Sequence, residues 1–163
     1  MKEILERQFS LCFDENGWFV AVRNALEGVT YEQAAWKADD RDGNCIWETL
    51  SHITYYNNAY LQRFKGIEFE YHVDTNDQTF STGEYTEADW QADIARFDAV
   101  MNEFRELIRA ADESKFTEPV PTNTSRKWWE VIADINAHNA YHGGQVLLLR
   151  KLQGSWNPEK GVS

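Results

Sequence analysis

The chain has 163 residues, 42% of them hydrophobic and 14% aromatic, which suits a single domain, 1–163, around one sizeable core and excludes a disordered chain. Its formal net charge of −11 repels phosphate backbones and anionic membranes, and the one short basic cluster, Arg126-Lys127, reads as a solvated helix start. Three Pro and nine Gly favour long uninterrupted elements over a loop-rich fold.

Four segments carry helical periodicity. The first runs from about Ile4 to Leu26, with Leu5, Phe9, Cys12, Phe19, Val22 and Leu26 recurring at helical steps. Asn16-Gly17 leaves room for a kink within it, and Gly28 lies where a left-handed cap is common. The N-terminal residues mix acid and base without a long apolar run, so no signal peptide is expected there. Cys12 and Cys45 match no metal or redox spacing and read as two reduced thiols near a cytosolic core, so the chain is expected to be cytoplasmic.

The second helix is expected from about Cys45 to Phe64, with Asp42-Gly43-Asn44 supplying turn and N-cap chemistry and Gly66 ending it. Ile46, Leu50, Ile53, Tyr60, Leu61 and Phe64 form its apolar face. A long polar link follows, about Ile67 to Tyr85, with a candidate strand at Phe69 to Val73. In the third helix Trp90, Ile94, Phe97, Met101, Phe104, Ile108 and Ala111 keep strict four-three spacing, which holds one seam against a neighbour. Thr86 with Asp89 resembles a capping box in which Asp replaces the usual Glu. The fourth helix is expected from about Arg126 to Leu152, after a link containing Pro119 and Pro121, with Ser125 as N-cap and Gly154 past its end. No internal repeat and no apolar run long enough to span a bilayer is present. Four long amphipathic helices imply an all-α four-helix bundle, and the long second link permits a crossover connection.

The chemistry concentrates in histidine. His138 and His142 are four residues apart on the fourth helix, in the stripe with Val131, Ile135 and Leu149, so both rings point inward on one face. Two adjacent buried imidazoles cannot both be protonated cheaply, and a metal ion taking a lone pair from each resolves this. The pair is not the zinc-protease motif, because Asn139 follows His138 where that motif needs Glu. His52, on the border of the second helix's apolar face, adds a third nitrogen. Three ligands from two helices leave coordination positions open, the arrangement of reactive metal sites.

Further residues stand within reach. Glu48 and Asp134 lie one turn before His52 and His138, where a carboxylate can orient an imidazole, although for both a solvated helix carboxylate is the stronger reading. Tyr56, Tyr141 and Gln145 are candidates to border the site. His72, in the long link, reads as a surface histidine. Gly143-Gly144 costs about 1 kcal/mol per residue inside a helix, so close packing or room for a ligand is expected beside His142.

The sequence resembles the DinB/YfiT-like proteins over nearly its whole length. The resemblance rests on Trp18-Phe19-Val20-Ala21-Val22-Arg23-Asn24-Ala25-Leu26, Val29-Thr30-Tyr31-Glu32-Gln33, Ile46-Trp47-Glu48-Thr49-Leu50-Ser51-His52-Ile53 and His138-Asn139-Ala140-Tyr141-His142-Gly143-Gly144-Gln145. Gly143 departs from it, since many members carry a larger or basic residue there. The resemblance implies an antiparallel bundle with a crossover, one divalent metal ion (zinc or nickel) on the three histidines, and a homodimer. It further implies a small-molecule substrate, with thiol S-transfer using a low-molecular-weight thiol, or hydrolysis, as leading activities. No nucleic acid or membrane partner is implied. A non-catalytic metal-binding or stress-response protein, and a helical module whose histidines only fill the core, are the alternatives.

Overall fold

The computed structural model describes residues 1–38 and 43–161. Among these residues six α-helices carry the fold, with a small two-stranded sheet and short 3₁₀ turns. The first helix, α1, covers Lys2–Phe13 and buries Leu5, Phe9, Cys12 and Phe13. It does not continue to Leu26. The chain breaks at Asp14, and only Val22–Ala25 is helical again, as α2. Asn16 makes the break: its side-chain oxygen accepts the Ala21 N–H at 3.0 Å and the Asn24 amide at 2.9 Å, contacts a continuous helix would forbid. Phe19, expected in the core, is exposed. Gly28 has φ 72°, the left-handed conformation expected of it.

A one-turn helix that the periodicity did not reveal, α3, covers Tyr31–Ala35 behind a capping box of Thr30 and Gln33. Helix α4 covers Ile46–Phe64. Its N-cap is Cys45, not the preceding turn: the thiol accepts the Glu48 N–H, and the Glu48 carboxylate accepts the Cys45 N–H at 2.8 Å. Gly43 and Asn44 lie outside the helix, and Asp42 lies outside the described residues. The expected strand at Phe69 to Val73 does not form. It has no ladder partner among the described residues, and the link turns instead into a 3₁₀ segment at Asn76–Phe80 that packs on α4.

Helix α5 covers Glu87–Ala110 and buries the expected seam of Trp90, Phe97, Met101, Phe104 and Ile108. Thr86 caps it by accepting the Asp89 N–H, but the box is half formed: Asp89, one methylene short of Glu, takes the Thr86 hydroxyl instead. Ser125 is not a helix cap. Strand β1, Pro119–Val120, pairs antiparallel with strand β2, Asn123–Lys127, and α6 begins only at Trp128, with Lys127 as N-cap, and ends at Leu152.

Each of the four long helices packs on two others: α1 and α4 each touch both α5 and α6. Aromatic ring pairs fix their directions. Phe9 meets Phe104 and Phe13 meets Phe97, so α1 and α5 run oppositely. Trp47 meets Trp90 and Phe64 meets Phe104, so α4 and α5 run the same way and the link between them returns along their length. Phe64 meets Trp128 while His52 meets His138, so α4 and α6 are antiparallel. The core is heavily aromatic, with Trp47, Trp90, Trp128, Phe9 and Phe104 fully buried. Among the described residues no helix is long and apolar enough to cross a membrane.

Candidate metal centre

Opposed α4 and α6 carry the three inward histidines to one point. One ring nitrogen from each of His52, His138 and His142 lies within 4.8 Å of the other two, a group able to hold a metal ion. His52 and His138 face each other through Nε2 at 2.9 Å. The register that permits this is held by a buried amide pair. Asn57 donates to Asn139 Oδ1 at 2.8 Å and accepts from Asn139 at 3.1 Å, both side chains fully buried between the two helices.

The rings are held by their far nitrogens. Thr79 Oγ1 lies 2.6 Å from His52 Nδ1, and the same hydroxyl donates its proton to the Asn76 carbonyl at 2.6 Å. Its proton committed, Thr79 accepts from His52, which must carry hydrogen on Nδ1 and keep a lone pair on Nε2. Gln145 Oε1 takes the Nδ1–H of His142 at 2.6 Å with the same result. Phe80 stacks on His52, 3.9 Å between centroids and 10° between planes. Burial, then the neighbouring His142 and His138, pushes His52 down to about 3. Burial, then His142, pushes His138 down to about 4. Burial also lowers His142, against the opposing pull of Gln145. All three are neutral near pH 7, the form that donates to a metal.

The rings open onto a cavity of about 420 Å³, between His52, Tyr56 and Tyr60 of α4, Phe80 and Asn76 of the link, and Val131 to His142 of α6. That is the size of a small-molecule site. Tyr56 lines it, with its hydroxyl on Asn76 at 3.0 Å. Asp134 lines it too, but is ion-paired with Arg126 at 2.7 Å and has no hydrogen bond to His138. Glu48 does not orient His52: its carboxylate is occupied by Lys37, the Cys45 N–H and the Tyr85 hydroxyl. Tyr141 is 64% exposed and meets His142 in a T-shaped contact, outside the cavity lining. His72 is exposed and stands apart from the group. The link residues Thr79 and Phe80 and the pair Asn57–Asn139 escape sequence reasoning. A buried Asn within a helical stripe was the available signal for the second.

Gly143 owes its place to close packing: a Cβ there would sit 3.0 Å from Val22 Cγ2. A larger residue, common in the family resembled, would press on Val22 of α2. The profile of the DinB superfamily matches residues 20–146, a span holding all three histidines and both asparagines. The chain belongs to the DinB superfamily. No curated protein and no solved structure matches it. For this DinB-superfamily chain, the fit of the donor set to a metal therefore rests on its own geometry: three neutral imidazoles, two with the tautomer set by oxygen acceptors, converging on an open cavity.

Proposed function

We propose that the protein binds one divalent metal ion, zinc or nickel, through His52, His138 and His142, and uses it as an enzyme on a small molecule. The observation that carries this is three neutral imidazoles meeting at the wall of a substrate-sized cavity, with no carboxylate or thiol joining them among the described residues. Such a metal, when bound, lowers the pKa of a water or thiol beside it. The chain's own part is to present the lone pairs, shield them under Phe80 and offer an apolar wall. Thiol S-transfer is favoured over hydrolysis because the carboxylates nearest in sequence, Glu48 and Asp134, are engaged elsewhere, leaving neither free to act as a general base. The thiol would be a separate low-molecular-weight co-substrate, since Cys12 and Cys45 are buried, are pushed up by that burial, and do not line the cavity. The same reading takes the packed helices as a four-helix bundle with the α4–α5 link as its crossover, forming one domain over 1–163, cytoplasmic and homodimeric.

The test is elemental analysis of untagged protein, followed by spectroscopy of the cobalt- or nickel-substituted form. One metal per chain is expected, lost in His142→Ala while circular dichroism stays helical, because the core does not depend on metal. Millimolar low-molecular-weight thiol should shift the spectrum. Absence of bound metal in the intact protein overturns the proposal, and a thiol-insensitive spectrum removes S-transfer and leaves hydrolysis.

A further inference from the structure

The cavity is graded along its length. On α4, His52, Tyr56 and Tyr60 follow one another at single-turn steps. On α6, running the other way, His142 and His138 are followed by Ile135, Asp134 and Val131. At 1.5 Å per residue the Asp134 level lies roughly 6 Å from His138 and 12 Å from His142. One end therefore holds imidazoles and the middle is aromatic and aliphatic. At the other end stands the guanidinium of Arg126, reaching in from β2.

Arg126 makes one ion pair, Nη1 to Asp134 Oδ2 at 2.7 Å, and its remaining N–H donors have no partner among the described residues. Tyr60, on the same wall, has no hydrogen bond from its hydroxyl to a described residue. A guanidinium held at one nitrogen by Asp134 and free along its other edge presents a fork that matches a carboxylate. The chain as a whole carries −11, so an anion entering this cavity needs a specific cation to hold it. Arg126 is the cationic side chain that lines it.

We propose that the substrate is an amphipathic carboxylate: its carboxylate sits on Arg126 and Tyr60, its apolar body lies between Tyr56 and Ile135, and its reacting group reaches the histidines on the order of 10 Å away. The last clause rests on the function proposed above; the anchor does not.

The experiment uses metal-free protein, so that a carboxylate cannot bind a metal instead, and compares 4-phenylbutanoate with 4-phenyl-1-butanol by calorimetry and by chemical-shift mapping. The carboxylate should bind and perturb Tyr56, Tyr60 and Ile135. In Arg126→Gln its affinity should fall about tenfold or more, the scale of a charged hydrogen-bonded pair, while the alcohol is unaffected. Asp134→Asn, which removes the competing carboxylate, should tighten binding several-fold. Equal affinity for the two probes, equal affinity in Arg126→Gln, or no carboxylate binding at millimolar concentration overturns the anchor. Metal content of Arg126→Gln is measured alongside and should match the parent. Carboxylate binding in a chain that takes no metal would keep the anchor and reject the metal reading, and metal uptake without carboxylate binding would do the reverse.

Discussion

A threonine from an irregular link decides the chemistry of a histidine on a helix. Thr79 hands its proton to Asn76 and so accepts from His52 Nδ1, leaving Nε2 as the lone pair that meets the other rings. Thr79→Val keeps the shape and removes the acceptor. Metal affinity, measured by competition with a chelator, should fall roughly 10–100-fold, and Thr79→Ser should restore it. An unchanged affinity in Thr79→Val would show that the ring is oriented by Phe80 stacking alone. The histidines themselves were legible, because four-residue spacing and a shared apolar stripe are local patterns. Thr79 was not, because its link has no periodicity and its partner is distant in sequence. The same rings set a pH response in metal-free protein. His52 and His138 sit at about 3 and 4 in the fold against 6.5 when unfolded. Between those values the unfolded chain binds more protons, so stability is full above pH 6.5 and is lost as pH falls toward 4. From pH 7 to pH 5, above the carboxylate range, unfolding by urea should show a loss on the order of 1 kcal/mol per ring, since solvent in the cavity screens part of the shift. His138→Gln should flatten the slope, and a slope unchanged by that variant would place the titration elsewhere.

Helices were legible where one apolar seam ran uninterrupted, as from Trp90 to Ile108, and misjudged where a side chain competed with the backbone. Asn16 turned an apparent kink into a full break, and the Pro119–Lys127 hairpin delayed the start of α6, because both depend on partners that periodicity does not encode. Between α4 and α6 the decisive contact is polar. Asn57 and Asn139 satisfy each other in a fully buried site and so oppose any slip of one helix along the other, which would separate His52 from His138. Asn57→Leu or Asn139→Leu strands the remaining amide and should cost about 1–3 kcal/mol in urea unfolding. The double change to leucine should cost less than the sum of the singles, because no unpaired amide is left, yet should weaken metal binding because the register lock is gone. Strict additivity in the double-mutant cycle would mean the amides are not coupled.

At the scale of the whole molecule, α6 has a second face. Beside the metal side, roughly a quarter turn round the helix, Tyr141, Leu148 and Leu152 are 64%, 56% and 61% exposed. With exposed Ala137 and Gly144 they fall on one stripe at steps of four, three, four and four. Two large aliphatic residues and a tyrosine on one strip are more than scattered surface residues, and small residues between them let a second helix approach closely. Gly144 has nothing within 4 Å of an added Cβ among the described residues, so no contact there accounts for its helix cost, whereas a facing helix would. A twofold pairing of α6 with α6 of a second copy puts the same stripe on both sides. Light scattering at micromolar concentration should give the mass of two chains. Leu148→Glu should weaken association at least tenfold, since burying one leucine contributes about 1.5–3 kcal/mol and a charge in its place adds to the cost. Because each copy carries −11, repulsion opposes the pairing, so added salt should strengthen the dimer. A monomer mass at both low and moderate ionic strength would reject the pairing and leave Gly144 without a packing reason.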